Sequence, residues 1–352
     1  MEFQATGTSR AGTVTGSGDT TNGGFALIDA NYCTVTGILA DDIANAALMN
    51  TGTVIDVNDE AASCGTTLIP VECASRAKSV KRSVPVIAEK TNFHPYNQYV
   101  DHALICAARD GLAAFVQVFL DTHADVDCTD EFGDTALMWA ARKGYPECVQ
   151  MLIDAEAKVN TVGRDGDTAL IWAARKGYPE CVQMLIDAKA KVNAVGRDGN
   201  SALIAAAHNG HTECVQTLLN AKARVNAANQ NGDTALILTA RRGHIACVQM
   251  LIDAKALINA TNDLGSTSLN WAANKGHTAC VQVLINAKAD INSATQNSYI
   301  ALGSAMKGGN PACAQVLIDA KADPNVRDLG NDTLLIWAAN NGHAVYIRML
   351  AE

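Results

Sequence analysis

The stretch "GDTALMWAARKGYPECVQMLIDAEAKVN", residues 133–160, is written again as "GDTALIWAARKGYPECVQMLIDAKAKVN", residues 166–193, 33 residues further on. Only Met138/Ile171 and Glu156/Lys189 differ between the two copies. Each copy reads as two short helices. Thr135 precedes "ALMWAARK" and can cap that helix with its hydroxyl. Gly144 can end it at positive φ. Pro146 then stands near the first position of a second helix, where a missing N–H costs little. In "PECVQMLIDA", Cys148, Val149, Leu152 and Ile153 form an apolar stripe. "KVNTVGRDG" carries the Asn and Gly of a turn.

The period continues in both directions. Units run 100–132, 133–165, 166–198, 199–231, 232–264, 265–297 and 298–330, with a truncated unit at 331–352. One unit holds too little core to stand alone, so neighbours must bury each other's faces. Unit 298–330 is degraded, with Ile300 where the capping Thr belongs and "GSAMKGGN" in its first helix. In the first unit Phe115 stands in the Cys148 column, and in the last Ala351 and Glu352 stand where Ile153 and Asp154 stood. That predicts a more polar finish to the array.

The chain resembles the ankyrin repeat through Gly133, Thr135, Leu137, Ala140, Ala141, Gly144, Val149, Leu152, Ala157, Val159 and Asn160, and most of these columns return in later units. His211, His244, His277 and His343 match that family's Gly-His step. The resemblance implies an all-α ankyrin-repeat solenoid of helix-turn-helix units with short β-turn fingers, preceded by a poorly ordered N-terminal region. Two departures stand out. The family's Thr-Pro-Leu-His becomes Thr-Ala-Leu-Ile, which removes a bracing histidine at Ile171, Ile204 and Ile237. The family's Gly before the final Ala is Glu156, Lys189, Lys222, Lys255, Lys288 or Lys321. A side chain at positive φ costs roughly 1–2 kcal/mol, so the second helices are expected to end differently.

Composition narrows the function classes. Of 352 residues, 48% are hydrophobic but only 5% aromatic, which suits closely packed alanine-rich helices. A net charge of -9 argues against general nucleic-acid binding. No apolar run is long enough to span a membrane, and no secretory leader is read at the N-terminus. Eleven cysteines include a column at Cys148, Cys181, Cys214, Cys247, Cys280 and Cys313. Helices packed roughly 8–10 Å apart cannot bring such a column within the roughly 7 Å a disulfide needs. The column is expected to be buried thiols in a reducing, cytoplasmic compartment, with secretion by a non-classical route left open.

Residues 1–25 hold fourteen Gly, Ser or Thr and read as a flexible tail. Residues 26–99 are a region of unknown fold, with "ILADDIANAALM" as a possible helix, "TGTVIDV" and "TTLIPVE" as possible strands, and "NFHPYNQ" (92–98) as a linker. The in-phase histidines lie in different layers, too far apart to share a metal ion, and no C-x-x-C pair exists. Gly18 and Gly23 have P-loop spacing, but Gly24 stands where Lys is required. Cys64 or Cys73 with His94 or His102 matches no known cysteine-enzyme pattern. The Trp139, Trp172, Trp271 and Trp337 column reads as packing between helices. No catalytic residue, metal or cofactor is assigned.

The remaining signal is a cationic column at the ends of the first helices: Arg142–Lys143, Arg175–Lys176, Arg241–Arg242, Lys275 and Lys307. Finger tips add Asp130, Glu131, Asp165, Asp198 and Asp263. In the ankyrin family these ends line the concave, partner-binding face. The reading is therefore a monomeric, non-catalytic adaptor or scaffold that binds a protein partner through Arg142, Lys143, Arg175, Lys176, Arg241, Arg242, Asp165 and Asp198. The bland alternative is a solvated helix face. Two further readings are a targeting or effector-type protein whose residues 1–99 carry a localisation or secretion signal, and an enzyme with its site in residues 26–92.

Overall fold

The computed structural model describes residues 94–296, 299–327 and 331–351, with side chains from residue 100 onward. The expectations for the tail over 1–25, for residues 26–93, and for Cys64 and Cys73 lie outside the described residues. The described residues form helices in pairs: α1 (His94–Asp110) and α2 (Ala113–Asp121), α3 (Ala136–Lys143) and α4 (Pro146–Asp154), α5 (Ala169–Lys176) and α6 (Pro179–Asp187), α7 (Ala202–Asn209) and α8 (Thr212–Asn220). They continue with α9 (Ala235–Arg242) and α10 (Ile245–Asp253), α11 (Ser268–Lys275) and α12 (Thr278–Asn286), α13 (Ala301–Lys307) and α14 (Pro311–Asp319), α15 (Leu334–Asn340) and α16 (Ala344–Ala351). Among the described residues there is no named strand; isolated antiparallel bridges such as Thr129–Thr135 and Val195–Ser201 close the fingers. Helix α1 begins at His94, inside the segment read as a linker.

First helices stack on first helices and second on second. Caps explain why each helix starts and stops where it does. Thr135 Oγ1 accepts from the Met138 N–H at 3.3 Å, and Thr168, Ser201, Thr234, Thr267 and Thr333 repeat the bond. Gly144, Gly177, Gly210, Gly243 and Gly276 end the first helices in the left-handed region. Unit 298–330 keeps its helices without either device: Ile300 makes no cap bond and Gly308 ends α13 in a right-handed conformation. Its Ile300 and Leu302 are buried, so contact with neighbours holds what local signals do not.

The core is one continuous column. Leu137, Leu170, Leu203, Leu236, Leu269 and Leu302 recur with Val149, Val182, Val215, Val248 and Val281, all 2% exposed or less. The cysteine column is equally buried, and none of its members forms a disulfide. A ladder of polar bonds runs beside it. The Asn160 carboxamide oxygen accepts from the Lys191 N–H of the next unit at 2.7 Å, and Asn193, Asn226, Asn259 and Asn292 do the same to Arg224, Leu257, Asp290 and Asp323. Each such bond contributes about 0.5–1.5 kcal/mol.

Two expectations need correction. The second helices do not end differently where Gly is missing. Glu156, Lys189, Lys222, Lys255, Lys288 and Lys321 all keep φ between 63° and 71°. At Lys189 the reason is visible: its N–H reaches the Ile186 carbonyl at 3.0 Å, the Ala190 N–H reaches Leu185 at 2.9 Å, and Ala190 is buried. Satisfied carbonyls and a buried alanine outweigh the left-handed cost. Nor is the last layer a polar finish. Leu335, Ile336 and Val345 are 42%, 41% and 54% exposed, and Ile336 occupies the column in which Ile171 and Ile204 are buried. No further layer covers that face among the described residues.

Lys189→Gly removes the left-handed penalty while keeping both backbone bonds. It should raise unfolding stability by about 1 kcal/mol in urea titration; a loss would show that the lysine side chain itself holds the turn.

Candidate functional site

The face built by the C-terminal turns of the first helices and by the fingers carries all eight residues chosen from sequence. Spacing of three places Trp139 above Arg142, Trp172 above Arg175 and Trp271 above Asn274 on one side of each helix. Arg142, Arg175 and Arg241 are half-buried there, while Lys143, Lys176 and Arg242, one residue later, are exposed. Asp165 and Asp198 are exposed on fingers, where their carbonyl oxygens accept from the N–H groups of Arg197 and Gln230 in the next unit.

The half-buried arginines are not free cations. The Arg142 guanidinium lies 4.9 Å from the Trp139 ring centroid and 4.1 Å from that of Trp172, so two indoles from successive units enclose it. Arg175 lies 4.8 Å from Trp172, and Arg241 lies 4.3 Å from Trp271. Contacts of this kind contribute about 0.5–2 kcal/mol each. The tryptophan column is thus packing between layers, as expected, with arginine as the filling. Arg175 also pairs with Asp167 at 2.6 Å, and Arg142 approaches Asp134 at 3.9 Å. Those two carboxylates escaped the sequence reading, although Asp134, Asp167 and Asp233 recur at the unit spacing. They are 5% and 3% exposed. Burial pushes the Asp134 carboxyl up to about 6, with help from Asp130, and Arg142 offsets only part of this. Burial likewise raises Asp167, against the pull of Arg175.

One substitution explains an orphan group. The Trp139 indole N–H donates to Asp130 at 2.8 Å. One unit later the residue at the Asp130 position is Gly163, and the buried Trp172 indole N–H has no partner. Asp130 also accepts the N–H groups of Phe132 and Asp134 at 2.9 Å, and Asn229 and Asn262 close their own fingers in the same way. At Gly163 and Gly196 no side chain does so. A Cβ built there would fall 2.2 Å and 2.0 Å from the carboxylates of Asp134 and Asp167.

The indole–guanidinium ladder then stops. The Trp172 column continues as Ala205 and Leu238 before returning as Trp271. Where the two rings are missing there is a hollow of about 570 Å³. Ile204, Ala205 and Leu238 form its apolar part, Arg175, His208 and Arg241 border it, and Asp198, Asn229 and Asn231 come from the fingers. His208 Nε2 accepts from the Arg242 guanidinium at 3.0 Å, which puts its proton on Nδ1. Burial and the two arginines hold its pKa below the ordinary histidine value.

The in-phase histidines His211, His244 and His277 and the cysteine column are occupied structurally. Nε2 of His211 donates to the Arg175 carbonyl at 3.1 Å, and His244 and His277 repeat this at 3.2 Å on His208 and Arg241. Each ring thus satisfies a helix-end carbonyl of the preceding unit, and these rings brace the layers without the histidine missing from Thr-Ala-Leu-Ile. Burial raises the thiols of Cys148, Cys181 and Cys280 to about 11, and that of Cys214 to about 12. A thiol kept protonated is a poor nucleophile. Among the described residues no group of three His, Cys, Asp or Glu is placed to hold a metal ion, and no helix is long and apolar enough to cross a membrane.

A family model for ankyrin repeats (3 copies) matches residues 104–195, 191–262 and 254–328. No curated protein matches the chain.

Folding raises the pKa of Asp134 above its ordinary 3.8, so its ionised form burdens the native state above about pH 6 and is relieved as pH falls through 6 toward 3.8. Asp134→Asn should therefore raise the thermal midpoint near neutral pH, and the gain should shrink across that window. A gain that is absent, or the same at both ends of the window, would show that the Arg142 contact governs this carboxylate.

Proposed function

The chain belongs to the ankyrin-repeat family, and from that premise we propose that it is a non-catalytic adaptor that binds a protein partner on the face of first-helix ends and fingers. Ankyrin repeats are generally protein–protein interaction modules. The observation that carries the reading is the graded order of this face: arginines fixed in an indole stack below, exposed Lys143, Lys176 and Arg242 above, and a hollow beside them. Fixed groups lose little freedom on binding, which favours a surface prepared for recognition. The partner contacts divide accordingly. Lys143, Lys176, Arg242, Asp165 and Asp198 meet it directly, while Arg142, Arg175 and Arg241 hold the platform.

A catalytic reading finds less support. Reaction centres bring dissimilar groups to one point, whereas this array spreads similar groups along a line. The free, buried thiols fit a reducing compartment, and the adaptor is proposed to work as a cytoplasmic monomer.

Reversing Lys143, Lys176 and Arg242 together to Glu should abolish capture of the partner from a cell extract and leave the thermal midpoint within a degree or two. Reversing Arg142 and Arg175 should lower the midpoint as well, because Asp134 and Asp167 would be buried beside like charge. Undiminished capture by the triple variant would remove the cationic face from the binding site.

A further inference from the structure

We propose that the hollow over Ala205 receives an aromatic side chain, tryptophan or tyrosine, from the protein partner, and that this ring completes the interrupted ladder. The inference rests on the adaptor reading and names the partner's chemistry. The ladder supplies the template. Arg142 is enclosed by two indoles at 4.9 and 4.1 Å. Arg175 has one indole at 4.8 Å, and the position where its second would arise is Ala205. Arg241 likewise has one ring, that of Trp271 at 4.3 Å. Both arginines border the hollow. The fold has therefore already arranged two guanidinium groups beside a space that, in the preceding units, is filled by an indole.

Charge and shape favour a ring over other anchors. An acidic side chain would meet Arg175 already paired with Asp167, and Asp198 and Asp233 at the same hollow. A basic one would meet Arg175, Lys176 and Arg241. A neutral ring avoids both conflicts, lies on the buried surfaces of Ala205 and Leu238, and gains the guanidinium contacts. The N–H of tryptophan or the hydroxyl of tyrosine has acceptors in the side chains of Asp198 and Asn231 on the fingers. Aromatic anchors in such pockets commonly dominate interface energies.

The experiment titrates the full ¹⁵N-labelled chain with N-acetyl-tryptophanamide and, separately, N-acetyl-leucinamide. The tryptophan compound should shift the amide signals of residues 204–208 and 238–241, and the leucine compound should not. Ala205→Trp fills the hollow from within. It should abolish those shifts and weaken binding of the captured partner by about tenfold or more. No shift in the wild type, equal shifts with both compounds, or an Ala205→Trp variant that keeps full partner affinity each overturn the proposal. If the variant does not fold, the wild-type titration decides. A partner lost by the Lys143/Lys176/Arg242 reversal but kept by Ala205→Trp sinks the aromatic pocket and leaves the cationic face; a partner kept by both removes the pocket and the cationic face alike from the binding site.

Discussion

Burial of each layer against the next is the constraint on which everything else in this array depends. A 33-residue unit of two short helices cannot hide its own Leu, Val, Ala and Cys columns, so it folds only with neighbours that present the same columns in the same place. That demand is met almost identically from Leu137 to Leu302. It also tolerates local faults. Six units end their second helix on a Lys or Glu in the left-handed region, and α13 starts on an uncapped Ile300. In the first six the alanine that follows is buried, and at α13 Ile300 itself is buried, so layer contact outweighs the local cost.

Polar groups at the junctions give the stack its register. The Asn ladder from Asn160 to Asn292 and the histidine rings at His211, His244 and His277 each join a side chain of one unit to backbone of another. A slip by one residue would break every such bond together. The same junctions create the binding face as a by-product of stacking. Arg142 is placed by Trp139 of its own unit and Trp172 of the next, so the surface chemistry of one layer is set by the sequence of two.

That coupling explains what could and could not be read beforehand. The repeat, the helix caps at Thr135 and Gly144 and the buried cysteine column follow from one unit repeated, and all were legible. The roles of Arg142, Arg175 and Arg241 were not, because a cation column looks the same whether it is solvated or sandwiched. The buried Asp134 and Asp167 lay in plain view at unit spacing, but their significance comes from the tight approach of Gly163 and Gly196 on the following finger. The hollow follows from the absence of tryptophan at 205 and 238, a signal that could have been read from the tryptophan column by asking where it lapses. The polar end predicted from Ala351 and Glu352 failed because two terminal residues say little about Leu335 and Ile336, whose columns are buried in earlier units and exposed in this one.

Removal of one whole interior unit, residues 166–198, followed by urea unfolding, tests the layer account most directly. Units 133–165 and 199–231 carry matching columns, so the shortened chain should still unfold in one cooperative transition, with a lower midpoint and a smaller dependence on urea. A chain that loses cooperative unfolding altogether, or that keeps an unchanged midpoint and slope, would contradict the claim that interchangeable layers stabilise one another.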